Sequence, residues 1–401
     1  MHLAGLGCPG HLTYCTNIHA GEHWPDVEQS LAANLPAIKA AVSPDGPLGL
    51  GLRISASMAT ALSDPDTLTR LTTLLGNDYY VFTVNAFPYG NFHGQPVKDG
   101  AYRPDWTDPE RLRYTNETAE VLANILPDGQ AGTISTVPAS FKPWFDESEF
   151  DGVAAACARL MGQHAAYLYD LRQRTGKRIA LALEPEPFCL LETIDETVAF
   201  FERHLFAGAG MEALASATGL GQHDALIAMR THLGVCYDVC HAAVEFEDPD
   251  ASLDALEDAG ITVGKVQLSS ALRLNPVDTN AAAALAQFDE PVYLHQTMER
   301  TDAGVLRHPD LAQALARVGE ATGNEWRSHF HVPIFLERME QFDTTQEFLR
   351  SILQRHRKQP ISEHLEVETY TWDVLPEQYR GLPVADAIAR ELNWVLAELK
   401  G

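Results

Sequence analysis

"RIALALEPEP" (residues 178–187) rises as a short apolar run, meets a carboxylate at Glu184 and stops at Pro185. "TIDETVAFFERHLF" (193–206) then places its apolar residues at helical spacing behind a Thr and an Asp suited to a helix start. This is one β-α unit, and the same unit recurs on both sides of it. Upstream lie "LTYCTNIH" (12–19) before "WPDVEQSLAANLPAIKAAV", "LGLGLRISA" (48–56) before "DPDTLTRLTTLL", "YVFTVNAF" (80–87) before "TDPERLRYTNETAEVLANIL", and "GTISTVPASF" (132–141) before "DGVAAACARLMGQHAAYLYDLRQR". Downstream follow "HLGVCYDVC" (232–240), "ITVGKVQLSS" (261–270) and "HLEVETYTW" (364–372), the last leading into "VADAIARELNWVLAEL". Strand-helix units repeated in one order predict an α/β fold, a closed (β/α)8 TIM barrel formed as a single domain over 1–401. No G-x-G-x-x-G follows the first strand to argue for a doubly wound sheet.

Residues 275–345 break the pattern. They hold the strand-like "PVYLHQT" and "WRSHFHVPIF" around the helix-like "PDLAQALARVGEA", and are expected to form an insertion between strands seven and eight, over the C-terminal mouth.

Composition narrows the function. With 29 Lys plus Arg against 55 Asp plus Glu, the formal net charge is -26, and no basic run offsets it. Such a surface repels phosphate backbones and anionic lipid, so neither nucleic acid nor membrane insertion is expected. No apolar run approaches the ~20 residues that span a bilayer, and no signal segment is recognisable in the N-terminal stretch. The six cysteines (8, 15, 157, 189, 236, 240) form no C-x-x-C pair, the usage of a reduced compartment. A cytoplasmic protein without disulfides is the expectation.

Strand ends converge on one mouth of a barrel, and here they carry His19, Asn85, Glu184, Asp238, Gln267 and Glu368. Three bare carboxylates brought together would repel one another, and a divalent cation is the simplest remedy. Glu184 is preferred over Glu186, which lies past the proline. Glu368 in "LEVETYTW" alternates with apolar residues, so that a solvated strand face is the rival reading. Asp238 and His241 leave their strand together, whereas a lone D-x-x-H would be read as a helix cap. His329 and His331 in "SHFHVP" share one side of an extended segment, the spacing that lets two imidazoles face one ion or ligand. His19 and His93 sit in loops on the face suited to substrate. Trp24, Phe87, Tyr89, Phe92, Trp144 and Phe145 could wall a pocket beside them.

The order of Glu184 in "ALEPEP", Asp238 and His241 in "YDVCHA", "VQLSS", "HFH" and Glu368 in "LEVET" resembles the xylose-isomerase-like TIM barrels, the sugar isomerases and epimerases with a DNA-repair nuclease branch. "LTYCTNIHAGEHW", "VFTVNAFPYGNFHG", "YRPDWTDPERLRYT" and "TISTVPASFKP" are similar to the EboE-type metabolite traffic proteins. The resemblance implies metal ligands at Glu184, Asp238, Gln267 and Glu368, with Glu184 and Glu368 as the proton-transferring pair. By their place at strand ends and in the following loops, His19, Asn85, His93, His241, His329 and His331 are expected to contact the substrate. Gln267 stands where the family ordinarily has His, so Mn²⁺ or Mg²⁺ is favoured over Zn²⁺. The implied partners are a small metabolite and other proteins of the same gene cluster. Two functions follow: a metal-dependent isomerase or epimerase acting on a hydroxy-carbonyl compound, or a non-catalytic binder of a small molecule. The charge balance argues against the nuclease branch.

Overall fold

The short apolar runs become parallel strands because each is followed by a chain segment long enough to return along the outside as a helix. The computed structural model describes residues 1–339 and 341–401. Seven barrel strands come first: β1 (His11–Tyr14), β2 (Leu48–Arg53), β3 (Tyr79–Asn85), β4 (Ala131–Thr136), β5 (Arg178–Leu183), β6 (Leu233–Asp238) and β7 (Val263–Leu268). The chain then forms β8 (Leu272–Leu274), β9 (Thr297–Thr301), β10 (Gly304–His308), β11 (Glu325–Ser328), β12 (Arg338–Met339) and β13 (Phe342–Thr344) before β14 (His364–Val367) supplies the eighth barrel strand.

The barrel sheet runs β1-β14-β7-β6-β5-β4-β3-β2 with every pairing parallel. Its two edges meet through a parallel bridge between Cys15 and Gly51 and a hydrogen bond from Thr13 Oγ1 to the Gly49 carbonyl at 2.7 Å. Eight parallel strands closed in this way, with helices outside, make the expected TIM barrel. Side-chain caps start several helices: Asp108 before Pro109–Ile125, Asp248 before Pro249–Asp258, and a Thr193/Glu196 capping box before Ile194–Phe200. The loop between β5 and β6 adds two helices, Gly208–Thr218 and Gln222–His232, beyond the one read from sequence.

Polar residues occupy the barrel interior as well as its mouth. Lys265 Nζ lies 2.5 Å from Glu366 Oε2, both side chains fully buried. Burial works against the ammonium, but the Glu366 carboxylate beside it holds the Lys265 pKa above the ordinary lysine range. Gly51 makes room for this pair: a Cβ there would stand 1.6 Å from Glu366 Oε1.

β8 to β13 form a second, antiparallel sheet in the order β10-β9-β11-β8-β13-β12. It docks on the loop after β7 through Val332 N to Ser270 O and Thr345 N to Ala271 O, both 2.9 Å. Of "PVYLHQT", only Thr297 enters a strand, and "PDLAQALARVGEA" divides into two short helices, Leu311–Leu315 and Val318–Ala321. No helix among the described residues is long and apolar enough to cross a membrane.

Candidate metal centre at the barrel mouth

Leu181 to Leu183 bury themselves in the barrel wall, and Pro185 ends the strand, which leaves Glu184 at its rim with 3 % of its surface exposed. At the end of β6, Asp238 caps the helix Val239–Val244: its Oδ1 accepts from the His241 backbone N–H at 3.0 Å and from Ser269 Oγ at 2.7 Å. Oδ2 is buried with no partner, as is Glu184 Oε2. Glu368, one residue past β14, accepts from Asn17 Nδ2 at 2.8 Å and Asn85 Nδ2 at 3.1 Å, both on Oε1. Glu184, Asp238 and Glu368 offer oxygens that all lie within 4.8 Å of one another. Burial, and then the Glu368 and Asp238 charges, push the Glu184 carboxyl well above the usual carboxylate range. Glu368 is raised by burial and by Asp238 and Glu366, with Lys265 opposing.

Three imidazoles adjoin the acids, and their tautomers follow from their partners. His241 Nδ1 faces the Pro185 carbonyl and His331 Nδ1 the Glu368 carbonyl, each at 2.9 Å. A carbonyl only accepts, so both Nδ1 atoms carry hydrogen. His329 Nδ1 bonds Gln296 Oε1 at 2.8 Å, and the Gln296 amide is oriented by its donation to the Pro187 carbonyl at 3.2 Å. All three rings therefore turn an Nε2 lone pair inward. His241 Nε2 and His329 Nε2 are 3.2 Å apart, a contact that needs a proton or a cation between two lone pairs, and His331 Nε2 has no partner. Asp238, His241 and His331 form a second set with ligand atoms within 4.8 Å of one another. Nitrogen held by a backbone carbonyl on its far side is the usual arrangement of a metal-binding histidine. His331 is lowered to about 4, chiefly by burial, so the ring stays neutral at ordinary pH.

Above these groups is a cavity of about 60 Å³ walled by Phe87, Phe92, Tyr102, Tyr293 and Tyr370, with Glu184, Glu186, Glu368, His241, His329 and His331 on its floor. Unpartnered oxygens and imidazole lone pairs in a buried, roomy spot fit a divalent cation.

No family model and no curated protein matches this sequence. Among solved structures, a xylose isomerase-like TIM barrel protein from Mycobacterium smegmatis in complex with magnesium is 9% identical, with a TM-score of 0.51 over 98% of this chain and 97% of that one. At this identity the likeness shows the fold, and the chain has the TIM-barrel fold. The IOLI protein with a binding zinc atom (12% identity, 97% of each chain, TM-score 0.44) and an L-ribulose 3-epimerase (14%, 71% of this chain and 80% of that one, 0.37) give lower scores.

The structure brings together Asn85, Glu184, Asp238, His241, His329, His331 and Glu368. It sets others apart. Gln267 Oε1 accepts from Cys236 Sγ at 2.9 Å, and its Nε2 is buried without a partner. His19 Nε2 pairs with the Tyr14 hydroxyl at 2.9 Å, and neither His19 nor His93 lines the cavity. Burial lowers both to about 4. Of the aromatic residues singled out in sequence, Phe87 and Phe92 line it, whereas Trp24, Tyr89, Trp144 and Phe145 do not.

Sequence reasoning passed over Asn17, Tyr102 and Glu186. Asn17 stands in the turn Thr16–Ile18, three residues beyond β1, so strand-end reasoning that stopped two residues earlier would have found it. Glu186 is buried despite Pro185, accepts from the Tyr102 hydroxyl at 2.6 Å and can share an ion with His241 and His329. Tyr102 ends the short 3-10 helix Lys98–Tyr102, which neither strand nor α-helix periodicity marks.

Proposed function

We propose that the mouth holds a divalent cation on Glu184, Asp238 and Glu368 and acts on a small hydroxy-carbonyl metabolite in the manner of an isomerase or epimerase. One observation carries this reading: three buried carboxyl groups meet within 4.8 Å, two of them with an unpartnered oxygen. Mn²⁺ fits best, since it accepts both the carboxylate oxygens and the imidazole nitrogens of the adjoining His241 and His331, and Mg²⁺ fits the oxygen set alone. When bound, such an ion balances the carboxylate charges and polarises a carbonyl oxygen.

The chain's own groups do the rest. Asn17 and Asn85 hold Glu368 by one oxygen and leave the other for the cavity. Glu184 takes the proton from the carbon beside the carbonyl, and Glu368 returns one, both carboxyl groups standing on the cavity floor. Asn85, His241, His329 and His331 contact the substrate, and the aromatic wall excludes water. The EboE-type motifs add to this reading a place in metabolite traffic, in the cytoplasm and beside other proteins of the same cluster. With Mn²⁺ and a panel of ketoses and hydroxy-ketones in D₂O, deuterium should enter at the α-carbon, and Glu184→Gln or Glu368→Gln should abolish it. Absence of exchange across the panel, with no metal in the purified protein, would refute the proposal.

A binding role without turnover is the second reading. Gln267 is engaged with Cys236, and the cavity holds only roughly four to six waters' worth of space. Saturable ligand binding with no deuterium exchange would select it.

A further inference from the structure

The opposite end of the barrel is hollow. TIM barrels are ordinarily filled by bulky branched side chains, but here Ala180, Gly234 and Gly264 lie in strands lining a cavity of about 770 Å³ that opens at the N-terminal face. Ala180 and Gly264 are partly exposed although they lie within barrel strands, and a Cβ on Gly264 would meet nothing nearer than Thr133 at 3.4 Å, Ala182 at 3.7 Å and the Val235 carbonyl at 3.8 Å, all ordinary contacts. Solvent therefore reaches into the barrel from below.

Arg172, Arg178 and Arg230 line this hollow. They come from three elements, the end of the helix Phe150–Thr175, the first residue of β5 and the end of the helix Gln222–His232. In a chain of net charge -26, where 18 other Lys and Arg residues have a carboxylate within 4 Å, none of these three does among the described residues. The acidic residue in the lining is Glu363, one carboxylate against three guanidinium groups. Arg230 rests its guanidinium against Gly260, about 3.1 Å from where a Cβ would stand.

We propose that this N-terminal hollow is a binding site for a small phosphate-type anion. A concave site of one sign focuses its field on a small ion, and guanidinium groups grip phosphate oxygens in pairs. The volume falls in the range of small-molecule sites and admits a phosphate ester as readily as a free ion. The hollow lies at the other end of the barrel from the carboxylate cluster, so the proposal stands apart from the metal reading.

Calorimetric titration of the full chain at low ionic strength with pyrophosphate should show one saturable site. The paired substitution R178Q/R230Q should weaken it at least tenfold and leave the Mn²⁺ response of the barrel mouth unchanged. If the pair does not fold, R178Q and R230Q taken singly, each on an exposed side chain, should each weaken binding at least threefold. Parallel titrations with inorganic phosphate and glucose 6-phosphate separate the sources: tighter binding of the sugar phosphate assigns a phosphate ester, and the reverse assigns the free ion. Arg172 and Arg230 also suit the negative ends of their helices, and that role alone predicts a lower Tm with no change in affinity. Such a result, an absence of saturable pyrophosphate binding, or a loss smaller than stated would overturn the proposal.

Discussion

Asp238→Asn separates the two jobs of one side chain. Oδ1 caps a helix and accepts from Ser269, and an asparagine oxygen does the same. Oδ2 has no partner in the protein, and the carboxylate belongs to the group it forms with Glu184 and Glu368, from which the substitution removes one charge. The fold should survive, and without metal the variant should be at least as stable as the parent, since one of three mutually repelling acids is gone. At ~100 times its Kd, a cation that binds only the folded state adds about 2.7 kcal/mol. Unfolding entropy of about 2.1 cal/mol/K per residue amounts to about 0.84 kcal/mol/K over 401 residues, so Mn²⁺ should raise the parent Tm by about 3 °C. The variant should show no such rise. The assay is thermal unfolding with and without Mn²⁺ after chelator treatment, with metal content measured on the same samples. Equal Mn²⁺ shifts in the two proteins would return Asp238 to the role of a helix cap and remove the carboxylate cluster from the metal reading.

Glu184 and Glu368 hold their protons above the usual carboxylate pKa, so they compete with a cation at the acid end. The Mn²⁺-induced rise in Tm should therefore grow as pH climbs above the ordinary carboxylate range, while His331, at about 4, stays neutral. Without metal the sign reverses: those raised carboxyls favour the folded state at low pH, a contribution lost as pH climbs through their folded values. Lys265→Met leaves Glu366 buried without its cation and should cost about 3–5 kcal/mol by urea denaturation, with K265M/E366M recovering most of it. A cost under about 1 kcal/mol would show that Lys265 carries no charge in the fold. All six cysteines are buried and unpaired, so thiol titration of denatured, unreduced protein should return six groups.

The order of strands and helices was legible in the sequence because the strand-helix alternation and its caps are local properties of the chain, and the parallel barrel follows from eight such units. The strand-end rule likewise placed Glu184, Asp238 and Glu368 at one mouth, since a chain leaving a buried strand must emerge at the rim. Tertiary structure decided the rest. Glu366 and Glu368 alternate with apolar residues as a solvated strand face would, yet Glu366 is sealed inside the barrel, because Lys265 from a neighbouring strand stands 2.5 Å away and Gly51 leaves space for it. Gln267 sits at a ligand position by sequence order, but the side chain beside it, Cys236, takes its oxygen. His19 and His93 lie in the correct loops, but burial and the Tyr14 hydroxyl turn His19 away from the cavity. Tyr102 and Tyr370, from two short 3-10 helices, and Tyr293, from a loop, reach the mouth from segments far apart in the chain. Apart from Tyr14, five residues from His19, the deciding partners are distant in sequence, and a strand or loop records only which way a residue can point, not what it will meet there.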